Sequence, residues 1–189
     1  RPEMLTQFGI MGSAYMNKIL GVDTPRVALA NIGLEESKGR ELELETYRQL
    51  TEAPVNFIGN IEARQVPLGD ADVVVTDGFT GNIMLKLYEG MGKFFSGELK
   101  NIFTAGTKNK LAALMIMSSV KDFKKKVDYS EYGGAPLLGT AKPVIKAHGS
   151  SDAKAFYNAV RQAKLFTETG VIDEITAALA DMKKAKENA

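Results

Sequence analysis

The stretch Val73-Val74-Val75-Thr76-Asp77-Gly78-Phe79-Thr80-Gly81-Asn82 gathers the residue types best suited to chemistry in this chain. Three consecutive valines predict a buried strand, and the apolar run from Ile83 to Leu87 predicts the start of a helix. Between them lies a turn with Asp77, Gly78, Thr80, Gly81 and Asn82. A strand that ends in a Gly-rich turn and feeds a helix offers unbonded backbone N–H groups and a partial positive charge, which suits a phosphate. Many α/β proteins build the same turn for purely structural reasons, so this pattern alone does not decide.

A second segment repeats the logic. Pro143-Val144-Ile145-Lys146-Ala147-His148-Gly149-Ser150-Ser151-Asp152-Ala153 reads as a strand, a polar turn and a helix, with Ser151 as N-cap and Asp152 in the first turn. Upstream, Gly133-Gly134-Ala135-Pro136-Leu137-Leu138-Gly139 is a small-residue loop. Near the start, Asn31-Ile32-Gly33 leads into Glu35-Glu36-Ser37-Lys38-Gly39. These four motifs together resemble the PlsX-type phosphate acyltransferases of bacterial phospholipid synthesis, over roughly Arg1 to Ala163. The resemblance implies transfer of a fatty acyl group from acyl carrier protein to inorganic phosphate, giving acyl phosphate. It also implies a homodimer. Enzymes of this type are longer, and this chain opens on Arg1 beside a helix, so it is expected to be the C-terminal part of a larger enzyme.

Phosphate is already a nucleophile at neutral pH, so such a reaction needs an anion site, alignment with the thioester carbonyl and donors for the developing oxyanion. Asn82 can donate to the carbonyl oxygen or to phosphate; it can equally cap its helix. Lys38 is the best cation in its loop, although Glu35 and Glu36 beside it also suit a solvated charge. His148 can exchange a proton or serve as an ordinary structural histidine. Asp77 can bind substrate or brace the turn through backbone N–H groups. Asn31, Gly33, Gly78, Thr80, Gly81, Gly149, Ser150 and Ser151 are expected to line the binding loops. No base stands at a recognisable spacing from the hydroxyls, so they are not read as nucleophiles. Phosphotransacetylases carry a similar Asp, Gly-Asn, Lys pattern, echoed by Asp77, Gly81, Asn82 and Lys86. A CoA-dependent phosphotransacylase is therefore the enzymatic alternative, and a non-catalytic dimerisation and membrane-docking module is the alternative of another class.

Composition excludes several classes. With no cysteine among 189 residues there is no disulfide framework, thiolate nucleophile or thiolate metal site. A single histidine rules out a multi-histidine zinc site, and no cofactor is called for. A formal net charge of +1 gives no basic footprint for nucleic acid. No apolar run reaches the roughly 20 residues that span a bilayer. These traits suit a cytoplasmic domain.

The elements that must position these residues follow from periodicity. Leu5, Phe8, Gly12, Tyr15 and Ile19 predict a helix ending near Gly21. Strands are expected at Arg26–Ile32, Val55–Ile58, Val73–Thr76 and Val144–Ala147, with a helix through Leu42, Tyr47 and Leu50. Final helices are expected at about Ser151–Phe166 and Val171–Lys184, broken at Gly170. This alternation predicts one α/β domain over 1–189, a three-layer α/β/α sandwich with a mostly parallel sheet. It resembles the phosphotransacetylase / isocitrate-isopropylmalate dehydrogenase-like fold.

Between the third and fourth strands lies more chain than a crossover needs. Helices at about Gly81–Thr104 and Lys108–Tyr129 would each reach roughly 30–36 Å, predicting a projecting hairpin over 83–129. Leu111, Leu114, Met115 and Ile116 belong to a continuous apolar run with lysines on both sides. That pattern predicts peripheral contact with the inner face of the cell membrane; burial in the dimer is the other reading.

Overall fold

The computed structural model describes residues 1–126, 134–149 and 151–187. The fold is α/β, with a parallel sheet flanked by helices as the three-layer expectation requires. Helix α1 spans Pro2–Lys18, with proline in its first turn, where the missing N–H costs nothing, and Glu3 and Lys18 placed to suit the helix dipole. It ends before Gly21, whose φ of +72° lets the chain turn toward strand β1 (Arg26–Asn31). Helix α2 (Glu41–Glu52), β2 (Asn56–Glu62) and β3 (Val73–Val75) follow.

β1 lies between β2 and β3 and runs parallel to both. Val27 and Ala28 are 0 % exposed and Leu29 is 1 % exposed, so the apolar run buries both faces of the strand. Leu5 of α1 and Leu50 of α2 join Val27, Leu29 and Val75 in the first core. Gly9 permits this contact, because a Cβ there would meet Leu50 Cδ2 at 2.8 Å. At the start of β1, Arg26 clamps the connection from β2 to β3. Its side chain donates to Asp72 Oδ2 at 3.0 Å, to the Asp70 carbonyl at 2.9 Å and to the Gly69 carbonyl at 2.8 Å.

The second core forms where α1 meets α5 (Ala153–Thr169) and α6 (Val171–Glu187). Met11 and Ala14 pack with Phe166, Val171 and Ile175, and the Gln162 amide donates to the Tyr15 hydroxyl at 2.8 Å. Gly170 breaks the two helices as expected, at φ +65°.

Three expectations need correction. Strand β2 does not stop at Gly59; that glycine adopts φ +95° and the register slips between Val27↔Phe57 and Leu29↔Asn60, so the strand bulges and continues. The expected fourth strand is not in the parallel sheet. It is β5 (Ile145–Lys146), paired antiparallel with β4 (Ala135–Pro136) inside the supposed small-residue loop. Local apolarity predicts a strand but not its partner. Finally, Asp152 rather than Ser151 caps α5, accepting from the Ala155 N–H at 2.8 Å.

The chain divides into two compact units, Arg1–Asp77 with Tyr132–Ala189, and Gly78–Glu131. The second contains α3 (Gly78–Thr104) and α4 (Thr107–Lys126), which contact each other across a two-residue connection. The end expected near Tyr129 lies outside the described residues. Among the described residues, no helix is long and apolar enough to cross a membrane.

Candidate active site

The sheet order β2-β1-β3 places a topological switch point between β1 and β3. From β1 the chain goes to one side for β2, then crosses to the other for β3. In open parallel sheets, ligands bind where such strands leave at their carboxyl ends. Asn31 closes β1 at that edge, and Asp77 follows β3 there.

Asn31 organises the loop that follows it. Its side-chain amide donates to the Lys38 carbonyl at 2.9 Å and to Asn60 Oδ1 at 3.2 Å, and its oxygen accepts from the Ile32 N–H at 2.8 Å. Asn60, on neighbouring β2, donates to the Glu35 carbonyl at 2.8 Å. Two asparagines on adjacent strands thus fix the loop by its backbone. Gly33 is buried beneath it, and a Cβ there would lie 2.8 Å from Glu35 Oε2 and 3.1 Å from Lys38 Cγ. Gly39 has φ +104°, and its Cβ would meet Glu43 Cβ at 2.7 Å and Asn31 Oδ1 at 2.8 Å. Only glycine serves both the turn and the approach. Lys38 is left exposed and makes no ion pair among the described residues.

Arg40 joins this loop to the end of β3. Its backbone N–H donates to Glu43 Oε2 at 2.8 Å, half of a capping box at the start of α2. Its guanidinium bonds the Glu43 carboxylate and reaches Asp77 Oδ2 at 3.2 Å. Glu43, and then Asp77, push the Arg40 pKa up, while hydrogen bonds from Arg40 hold the Glu43 carboxyl below its usual range against the effect of burial. Asp77 therefore has a bracing contact with Arg40 in addition to any binding role. With Glu35, Glu36, Glu43 and Asp77 nearby and Arg40 already paired, Lys38 is the cation this loop can offer an anion.

A cleft of about 410 Å³ lies between the loop and β2, lined among others by Glu35, Glu36, Tyr47, Asn60 and Asp70. The Tyr47 hydroxyl donates to Glu36 Oε1 at 3.1 Å there. Three carboxylates make this the wrong field for phosphate.

Helix α3 corrects the reading of the Gly-rich turn. It begins at Gly78, so Gly78, Thr80 and Gly81 form its first turn instead of preceding it, and Asn82 is its fifth residue. Asn82 is therefore not an N-cap. Side chains of an α-helix tilt toward its N-terminus and stack at i+4. Asn82 consequently leans over Gly78, where a Cβ would meet nothing within 4 Å, beside the backbone of the helix's first turn. Lys86 continues the same face, exposed, with its ammonium 3.6 Å from Glu89 Oε2.

His148 is exposed at the turn from β5 into α5, where its carbonyl accepts the Ser151 N–H at 3.0 Å across Gly149. Ser150 lies outside the described residues. The parallel sheet brings together Asn31, Gly33, Lys38 and Asp77; it does not include the strand that carries His148. Arg40, Glu43 and Asn60 were missed from the sequence. The Arg40-x-x-Glu43 spacing was a readable capping signal, whereas Asn60 depends on the β1–β2 register.

Residues 1–174 match the family described as "Fatty acid synthesis protein". The chain belongs to this family. A relative from Alkaliphilus oremlandii named "Phosphate acyltransferase" is 50 % identical over 182 residues, covering 96 % of this chain and 54 % of the relative. Proteins of the same name from Oceanobacillus iheyensis (48 % identity, 99 % and 56 % covered) and Lysinibacillus sphaericus (51 %, 93 % and 53 %) are similarly related. The PlsX-type resemblance of the motifs is thereby borne out. The chain spans about half the length of these curated relatives.

Proposed function

We propose that the whole protein transfers a fatty acyl group from acyl carrier protein to inorganic phosphate, giving acyl phosphate for phospholipid synthesis. The observation that carries this reading is family membership over residues 1–174, with relatives named phosphate acyltransferase. The switch-point loop supports it from the geometry, because Asn31 and Asn60 hold Lys38 on a fixed backbone at the sheet edge where ligands bind. The carrier-protein donor comes from the resemblance of the four motifs.

In the reaction, a phosphate oxygen attacks the thioester carbonyl carbon. A C–O bond forms and negative charge moves to the carbonyl oxygen. The C–S bond then breaks, and the thiolate leaves with its electron pair and takes up a proton. Lys38 attracts phosphate, and Asn82 donates to the carbonyl oxygen or phosphate beside the first-turn N–H groups of α3. His148 supplies or relays the proton to the leaving sulfur. Asp77 braces the turn between β3 and α3, aided by Arg40.

The same reading includes a homodimer and peripheral contact with the inner face of the cell membrane. Leu111, Leu114 and Met115 are 64 %, 68 % and 81 % exposed, which supports an apolar surface needing cover. Leu114→Glu with Ile116→Glu is expected to reduce sedimentation with anionic vesicles while solution activity persists; loss of the dimer instead would assign these side chains to a subunit interface.

The test of the reaction is phosphate-dependent acyl-phosphate formation by the whole protein, with acyl carrier protein and CoA thioesters supplied separately. Product from the carrier-protein thioester is expected. Product from the CoA thioester alone would favour a CoA-dependent phosphotransacylase, and no product from either would sink acyl transfer.

A further inference from the structure

We propose that the apolar cavity between loop 137–141 and helices α5 and α6 receives the distal part of the acyl chain. This inference rests on the acyl-transfer reading above for its ligand. The cavity measures about 220 Å³, and its walls include Leu138, Phe166, Ile172, Ile175 and Leu179. No charged side chain lines it. Its two hydroxyl donors are already engaged: Thr140 Oγ1 donates to the carbonyls of Leu137 at 2.9 Å or Lys142 at 2.7 Å, and Thr176 Oγ1 to that of Ile172 at 2.8 Å. A polar ligand would find few unused partners there, whereas a hydrocarbon needs none.

Size points the same way. A dry cavity of about 150 Å³ lined by Leu, Ile and Phe accepts benzene. The present volume therefore suits a short stretch of methylenes and excludes a bulky head group. Gly139 closes the loop at φ +85°, and its Cβ would lie 3.2 Å from Met11 Sδ, so the loop rests directly on α1. A thioether can adjust as a chain enters. The loop also belongs to one of the four sequence motifs, yet it carries no residue assigned to the chemistry.

Along the chain, the cavity wall at Leu137 leads to His148. The loop returns to β4 through the Leu137 N–H to Val144 carbonyl bond of 2.9 Å, and β5 then leads to His148. The four steps from Val144 to His148 span at most ~14 Å. A medium-length acyl chain covers that distance, with its thioester end toward His148 and its methyl end in the cavity.

The probes are butyl-, octyl- and dodecylphosphonate, titrated calorimetrically into the intact protein. Affinity is expected to rise by about fourfold per added methylene until the cavity is filled, then level off. Thr176→Phe, placed to fill the cavity from α6, should weaken octylphosphonate binding at least tenfold and leave butylphosphonate unchanged. Leu179→Ala enlarges the cavity and should move the plateau to longer chains, which keeps the test open if Thr176→Phe does not fold. Unchanged chain-length profiles in either folded variant would overturn the proposal, as would length dependence that disappears in Leu114→Glu instead. An acyl-phosphate assay alongside separates the two readings. A wild-type enzyme that makes acyl phosphate while the variants keep its length profile refutes only the cavity, and Thr176-dependent alkyl binding without any acyl phosphate refutes only the reaction.

Discussion

The loop from Ile32 to Arg40 and the helix α3 are both motif-bearing, and they are held in opposite ways. The loop is polar, yet its backbone is fixed by Asn31, Asn60 and the Arg40–Glu43–Asp77 cluster. Gly39 is so closely surrounded that a single added carbon meets Glu43 Cβ at 2.7 Å. Helix α3 is apolar, yet none of its 27 residues is buried, and Leu87, Phe94 and Phe95 are each more than half exposed. Its glycines Gly90, Gly92 and Gly97 face open space. Hydrogen bonds to carbonyls can fix nine residues locally, whereas an apolar stripe is fixed only by whatever covers it.

The largest expected effect tests whether the exposed helix is nonetheless where the chemistry happens. Asn82→Ala in the whole protein should cost about 10²–10³ in rate, as loss of one oxyanion donor does, with no loss of fold. Near-normal turnover would leave Asn82 a surface residue.

Glycine substitutions compare the two regions directly. Gly39→Ala should destabilise by about 1–3 kcal/mol, from strained φ alone, read as a lowered thermal midpoint. Gly90→Ala should instead stabilise by about 1 kcal/mol, the ordinary gain inside an uncovered helix. If Gly90→Ala proved destabilising in the full-length protein, a neighbour must pack against that glycine, and the cover of α3 would be located.

Lys38→Ala should raise the phosphate concentration for half-maximal rate by about tenfold, the scale of one lost charge-assisted hydrogen bond. Lys38→Arg should recover this only in part, since a planar fork does not replace a point charge. An unchanged phosphate response would make Lys38 merely a solvated charge on a rigid loop.

The smallest effect concerns pH. Arg40 holds the Glu43 carboxyl below its usual range, so the folded chain binds fewer protons there than the unfolded chain. The resulting stability is present above the unfolded carboxylate value of about 4.3 and is lost as pH falls through the folded value. Glu43→Gln should therefore lower the thermal midpoint near neutrality and flatten its acid limb. Parallel wild-type and variant melting curves across the acid range would remove Glu43 from the account.

Much of this was legible in the chain. The periodicity of Leu5, Phe8, Tyr15 and Ile19 specified α1, and the valine run specified β3, because both signals are local. Lys38 and Asp77 could be named from a polar loop and a strand-end turn, whereas Asn31 and Gly33 follow from the family resemblance of their motif. Arg40 was overlooked because an arginine at a helix start reads as solvated until a carboxylate from another strand stands beside it. Val144–Ala147, just before His148, reads as a strand of the main sheet because it is largely apolar; apolarity fixes that a segment pairs, not with what.

By itself, then, the sequence determined the α/β alternation, the two long helices after β3 and the family motifs, all of which depend on residues near one another in the chain. Tertiary structure decided the order β2-β1-β3, the bulge at Gly59, the separate β4–β5 pair and the Arg40–Asp77 contact. Each of these joins residues distant in sequence, where the free energy depends on which partner arrives, and no local pattern of side chains encodes that choice.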